Sequence, residues 1–255
     1  MKRDARKIVA VTAYDYTFGR VLDRAGVDII LVGDSLGMVV QGQTSTLPVT
    51  VDDIVYHSRC VTRAVERAFV IADLPFGSYE KGPAHALGSA TRVMAGGGAQ
   101  MVKIEGGAFL ADTVRFLVER GIPVCAHIGL MPQHVHQLGG YRVQGRSAEA
   151  AKQLKDDARA LEDAGASLIV LEVIPASVAS EITIATTQMA TIGIGAGPSC
   201  DGQVLVLYDL LGISDRFRPR FTKDFMVGAD SILAGVQAYA SAVRDGRFPG
   251  PEHGF

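Results

Sequence analysis

The stretch RAGVDIILVGD (residues 24–34) holds the reading of this chain in miniature. A helix-like segment closes on Gly26, an apolar run follows, and the run stops at an acidic residue, Asp34. The run is continuously apolar rather than alternating, which predicts a strand covered on both faces, as in a parallel sheet. Gly26 offers the left-handed conformation that ends a helix at little steric cost. The same unit recurs as AGGGAQMVKIEGG (95–107), ERGIPVCAHIG (119–129) and DAGASLIVLEV (163–173).

Working outward, the sequence predicts strands over residues 8–14, 28–34, 69–74, 101–105, 123–128, 167–173, 191–196 and 204–208. The intervening segments carry helical stripes. Phe18, Val21, Leu22 and Ala25 form one; Leu110, Val114, Leu117 and Val118 form another, closed by Gly121; Ala151, Leu154, Ala158 and Leu161 form a third, closed by Gly165. Thr50 followed by Asp53 reads as a helix entry ahead of Ile54, Val55, Val61 and Val65. About eight such units in 255 residues predict a (β/α)8 TIM barrel with right-handed crossovers, as a single domain over 1–255. An open doubly wound sheet is the rival architecture. The tail from about Gly246, with Pro249 and Pro251, reads as irregular.

Composition narrows the function classes. Lys plus Arg total 25 against 27 Asp plus Glu, a formal charge of −2, so no overall basic footprint marks a nucleic-acid or anionic-membrane partner. Hydrophobic residues at 48% exclude intrinsic disorder. Cys60, Cys125 and Cys200 are odd in number and form no C-x-x-C pair, which suggests neither a disulfide framework nor a zinc knuckle. No run approaches the roughly 18 to 20 apolar residues of a membrane span, and the basic start lacks a cleavage site, so a soluble, cytoplasmic protein is expected. Arg216, Arg218 and Arg220 read as a solvated basic loop, and the glycines at 96–98 and 193–197 as tight turns. His134 and His136 make a poor metal motif on their own.

The informative polar residues stand at strand ends, where barrel enzymes place their chemistry. Asp34 ends the second strand with Ser35 beside it, Asp73 stands at the end of the third, Lys103 and Glu105 lie in the fourth, His127 in the fifth and Glu172 in the sixth. Taken singly, most have bland readings: an aspartate caps a helix, Lys103 pairs with Glu105, and a histidine is hydrogen-bonded in the core. Taken together they recur at one end of five consecutive strands, and an acid inside an apolar run is costly unless paired or wet. Two or three carboxylates with at most one histidine suit Mg²⁺ rather than zinc. Lys103 then pairs with an anionic substrate, and Glu172, with no local partner, is free to act as a base. Such a set suits proton abstraction next to a carbonyl.

These residues sit in motifs that resemble the ketopantoate hydroxymethyltransferase family. The matching segments are TAYDY (12–16), LVGDSLGM (31–38), TLPVT (46–50), ADLPF (72–76), MVKIEGG (101–107), HIGL (127–130), GGYRVQGR (139–146), Leu171 with Glu172, IGIGAG (192–197) and DGQ (201–203). The resemblance implies a (β/α)8 barrel of the phosphoenolpyruvate mutase/isocitrate lyase group. It also implies one Mg²⁺ per subunit, with Asp34, Asp73 and Glu105 at the metal and Glu105 either a direct or a water-mediated ligand. Asp34, Ser35, Asp73, Lys103 and His127 would bind the 2-oxo acid, and Glu172 would accept its proton. The implied reaction moves a hydroxymethyl group from 5,10-methylenetetrahydrofolate to 3-methyl-2-oxobutanoate, giving 2-dehydropantoate in pantothenate biosynthesis. A homo-oligomer, a decamer by analogy, is expected. The rivals are another Mg²⁺-dependent 2-oxo acid lyase or mutase of the same group, and a non-catalytic barrel that senses a metabolite.

Overall fold

The computed structural model describes residues 1–214 and 218–255; Arg216 of the basic run lies outside the described residues. Eight parallel strands close into a barrel in sequence order, and β8 pairs with β1. They are β1 (Ile8–Thr12), β2 (Ile29–Val32), β3 (Phe69–Asp73), β4 (Met101–Glu105), β5 (Val124–Gly129), β6 (Leu168–Glu172), β7 (Ala190–Ile194) and β8 (Gly202–Leu205). Each expected strand is present. The eighth begins two residues earlier than its apolar run suggests, and Gly202 gives the reason. A Cβ there would lie 2.5 Å from the Ile8 carbonyl oxygen and 2.8 Å from Ile192 Cδ1, so only a glycine lets β8 lie between its neighbours.

The helices are α1 (Tyr16–Ala25), α2 (Leu36–Val39), α3 (Val51–Thr62), α4 (Pro83–Thr91), α5 (Ala111–Val118), α6 (Ala148–Asp163), α7 (Ala176–Ala185), α8 (Leu207–Leu210) and α9 (Ile232–Arg244). Thr50 and Asp53 form a reciprocal capping box at the start of α3, satisfying two otherwise orphaned N–H groups. Gly121 and Gly165 both adopt positive φ, 81° and 97°, where the stripes end. One departure from the regular pattern concerns β7 and β8, which are joined through residues 195–201 without a helix. Gly195 and Gly197 make that connection possible: Cβ atoms there would press to 2.9 Å from Phe221 and 2.5 Å from Ala176.

Two apolar layers result. Ile8, Ala10, Ile29, Ile71, Met101, Cys125, Val170, Ile192 and Val204 fill the inside of the barrel, while residues such as Val9, Val11, Ile30, Val102, Ile104 and Leu171 face the helices. This is the two-residue alternation of strands buried on both sides. Tyr239 on α9 fastens the closing seam, its hydroxyl reaching Ala10 O on β1 and Gln203 O on β8, both at 3.1 Å. The tail is irregular but packed: Phe248 is buried edge-on against Phe225 and Tyr239, and the Phe255 carbonyl accepts from Ala176 N at the start of α7. Arg218 and Arg220 are tied down too, donating to the Gly212 and Glu252 carbonyls. No helix among the described residues is long and apolar enough to cross a membrane.

Candidate active site

Parallel pairing sets the site's geometry. Asp73 stands beside Lys103 in the β3–β4 register, Glu105 beside His127 in β4–β5, and Gly129 beside Glu172 in β5–β6. Lys103 and Glu105, two residues apart, point to the same side of the sheet. The Lys103 stem lies over the apolar interior of the barrel, among Ile71, Cys125 and Val170, with its ammonium turned towards the acids. Its Nζ is 3.2 Å from Asp73 Oδ1, 3.3 Å from Glu105 Oε1 and 3.2 Å from His127 Nδ1.

His127 continues the chain. Nδ1 lies 3.3 Å from Glu105 Oε1, and Nε2 makes an ion-pair contact of 3.2 Å with Glu172 Oε2. Asp34 joins from the turn after β2, its backbone N–H donating to Asp73 Oδ2 at 2.9 Å. Gly33 allows this approach, since a Cβ there would sit 3.3 Å from Asp73 Oδ2 and 3.1 Å from Ser35 Oγ. Ser35 is linked from behind to Tyr14, whose hydroxyl lies 2.9 Å from Ser35 Oγ and donates to Thr12 Oγ1. The structure therefore brings all seven sequence-predicted residues to one rim of the barrel.

The charges are unevenly matched. Asp34, Asp73, Glu105 and Glu172 face two cations, Lys103 and His127, which leaves two negative charges uncompensated when all are ionised. Burial, the Asp73 and Glu105 charges, and too little relief from Lys103 hold the Asp34 carboxyl well above the usual range. Burial also raises Asp73, against the pull of Lys103. For Glu105 the balance reverses: Lys103 and His127 outweigh burial and lower it to about 2. Burial and Lys103 push His127 down, but Glu105 and Glu172 prevail and raise it to about 9, so the ring is an imidazolium at neutral pH. The Lys103 ammonium is held well above its ordinary value, its acidic neighbours overcoming burial.

Two participants carried no signal in the sequence. Gln133, on the turn after β5, donates its backbone N–H to Glu105 Oε2 and its amide to Asp34 Oδ2. Tyr79 donates its hydroxyl to Gln133 Oε1, and the same oxygen accepts from the Glu105 backbone N–H. Neutral amides and phenols in loops are too common to stand out, whereas an acid in an apolar run does. A third feature is Val173, directly after Glu172, with φ of 48°, a left-handed conformation that costs a β-branched residue dearly. Its N–H donates to Ile194 O, and its carbonyl accepts from Gln144 N of the loop that follows β5. A cavity of about 180 Å³ lies beside the site between Ile128, Gly129, Gly145 and Leu154, but its walls are mainly apolar and none of the seven rim residues lines it.

The donor set fits a hard divalent cation. Its atoms are carboxylate oxygens, the two spare negative charges equal one such ion, and Asp73 Oδ1 is buried with no aligned hydrogen bond. Lys103 Nζ also lies 3.2 Å from that Asp73 oxygen, and Glu105 is the more fully partnered acid, with Lys103 and His127 both at 3.3 Å from Oε1 and Gln133 N donating to Oε2. Among the described residues, no three His, Cys, Asp or Glu side chains form a ready-made cage.

Comparison with known proteins finds relatives that match along nearly the whole chain. The chain is 61% identical over 253 residues to 3-methyl-2-oxobutanoate hydroxymethyltransferase of Azoarcus sp. (strain BH72), covering 99% of this chain and 93% of that protein. It is 60% identical over 255 residues to the enzyme of the same name from Burkholderia thailandensis, covering 100% and 93%. Solved structures of similar fold include a phosphonopyruvate hydrolase complexed with oxalate and Mg²⁺ (TM-score 0.61, 12% identity, 80% of this chain and 77% of that one). Another is 2,3-dimethylmalate lyase, a PEP mutase/isocitrate lyase superfamily member (TM-score 0.58, 20% identity, 80% and 77%). The family model described as ketopantoate hydroxymethyltransferase matches residues 1–251. An enzyme that transfers hydroxymethyl groups, the chain belongs to the ketopantoate hydroxymethyltransferase family.

Proposed function

We propose that the enzyme moves a hydroxymethyl group from 5,10-methylenetetrahydrofolate to C3 of 3-methyl-2-oxobutanoate, giving 2-dehydropantoate for pantothenate biosynthesis. The observation that carries this reading is the placing of Glu172. Its side chain is 14% exposed, whereas those of Asp73, Lys103, Glu105 and His127 are 1–5% exposed, and His127 tethers it from behind. A carboxylate held on one side and open on the other is what a proton acceptor needs.

Asp34 and Asp73 would hold Mg²⁺, with Glu105 reaching it through water. When bound, the ion stabilises negative charge on the substrate's carbonyl oxygen. Lys103 supplies the positive charge for the substrate carboxylate, and Ser35 and Asp73 line the same place. The imidazolium of His127 fixes the orientation of the Glu172 carboxylate through a charge-assisted contact. Glu172 takes the C3 proton, the electron pair of that C–H bond passes into the carbonyl, and the enolate attacks the one-carbon unit. Water cleaves the two C–N bonds of the folate's methylene bridge, its oxygen staying on that carbon and its two hydrogens leaving with tetrahydrofolate, and the hydroxymethyl oxygen takes back the proton held by Glu172. Close packing of Asp34, Asp73 and Glu105 keeps bulk water from the developing charge. We place the enzyme in the cytoplasm as a homo-oligomer, in line with its family.

The test is exchange of the C3 proton in D₂O with Mg²⁺ and 3-methyl-2-oxobutanoate but no folate. The wild type exchanges; Glu172→Gln loses exchange by at least about 10²-fold while still binding the acid. Undiminished exchange in that variant removes Glu172 from the role. Product formation with both substrates separates this reading from a lyase or mutase of the same barrel group.

A further inference from the structure

Gln133 is 3% exposed, and its hydrogen bonds reach residues 28, 54, 59 and 99 positions away in sequence. The direction of its amide is fixed by chemistry. The Tyr79 hydroxyl donates to Oε1 at 2.6 Å, so Nε2 is the atom that faces two acceptors, Asp34 Oδ2 at 2.8 Å and Leu74 O at 3.0 Å. The backbone N–H of the same residue donates to Glu105 Oε2 at 3.0 Å. One residue therefore grips two carboxylates, one following β2 and one on β4. Asp34 Oδ2 is taken, and among the described residues no hydrogen bond reaches Asp34 Oδ1.

Resting on the reading that Asp34 and Asp73 hold a divalent ion, we propose that Gln133 is a positioning residue for that ion. By holding Oδ2 it stops rotation of the Asp34 carboxylate and leaves Oδ1 as the oxygen offered for coordination. The cost of ordering the ligand is thus met by the fold before the ion arrives. Through its backbone it also keeps Glu105 turned towards Lys103 and His127. Tyr79 belongs to the same device, since it sets which way the amide points. Outer partners of this kind commonly contribute 10- to 100-fold to metal affinity.

The experiment is calorimetric titration of Mg²⁺ alone into metal-free protein, alongside the melting temperature of the metal-free form. Gln133→Met keeps the length of the side chain and the backbone bond to Glu105 but removes both amide donations. Its dissociation constant for Mg²⁺ should rise about tenfold. A side chain that merely packed the turn against the rim would lower the melting temperature and leave that constant unchanged. A value within twofold of wild type overturns the proposal. Should Gln133→Met fail to fold, Tyr79→Phe is read by the same criterion, with an expected rise of about threefold. Asp34→Asn and Asp73→Asn in the same titration keep the two claims apart. If they leave Mg²⁺ affinity intact, the metal reading itself fails; if they abolish it and Gln133→Met does not weaken it, only the role of Gln133 falls.

Discussion

His127 shows how much one side chain can be asked to do. It is buried between Lys103 and two carboxylates, and its proton is kept by the acids against both burial and the ammonium. An unfolded imidazole titrates near 6.5 and the folded one at about 9, a difference worth about 3 kcal/mol. Because the folded value is the higher, this stabilisation is complete below pH 6.5 and is lost as pH rises through 9. Urea unfolding of chelator-treated protein should therefore show stability falling across that window, and His127→Gln should flatten the slope; an unchanged slope in the variant would place its origin elsewhere. The acids and His127 were legible in the sequence because charge inside an apolar run is rare. Gln133 and Tyr79 were not, because their importance lies in partners tens of residues away.

At the scale of elements, local rules carried most of the reading. The capping box at Thr50, the glycine stops at 121 and 165, and seven strands rich in branched residues follow from the sequence alone. β8 starts where sequence offers no apolar cue, because its first residue is chosen for closeness to β1 and β7 rather than for its own propensity. Gly202→Ala should therefore destabilise the protein by about 3 kcal/mol, measured by denaturant midpoint, since backbone as well as side chains must move. A change below about 0.5 kcal/mol would show that the seam yields easily. The left-handed turn at Val173 is equally hidden: valine reads as strand, and the bonds from its backbone to Ile194 and Gln144 hold it otherwise.

For the whole molecule, counting strand–helix units led to the closed barrel, yet the way it is fastened emerged only in three dimensions. The sequence could not announce that β7 and β8 connect without a helix, or that the tail packs Phe248 against α9. Nor could it show one hydroxyl bridging first and last strands. Tyr239→Phe removes that bridge and should cost about 1 kcal/mol of stability in urea while leaving turnover alone, because the seam's hydroxyl bonds to Ala10 O and Gln203 O and to none of the rim residues. Reduced turnover in a fully folded variant would mean that barrel closure and the rim are mechanically linked. The depth of Asp34 and Asp73, with Gln133 held against Asp34, has a kinetic corollary. A divalent ion held there, as proposed, would leave no faster than the turn carrying Gln133 moves aside, so stripping by EDTA should saturate at a plateau set by breathing of the protein.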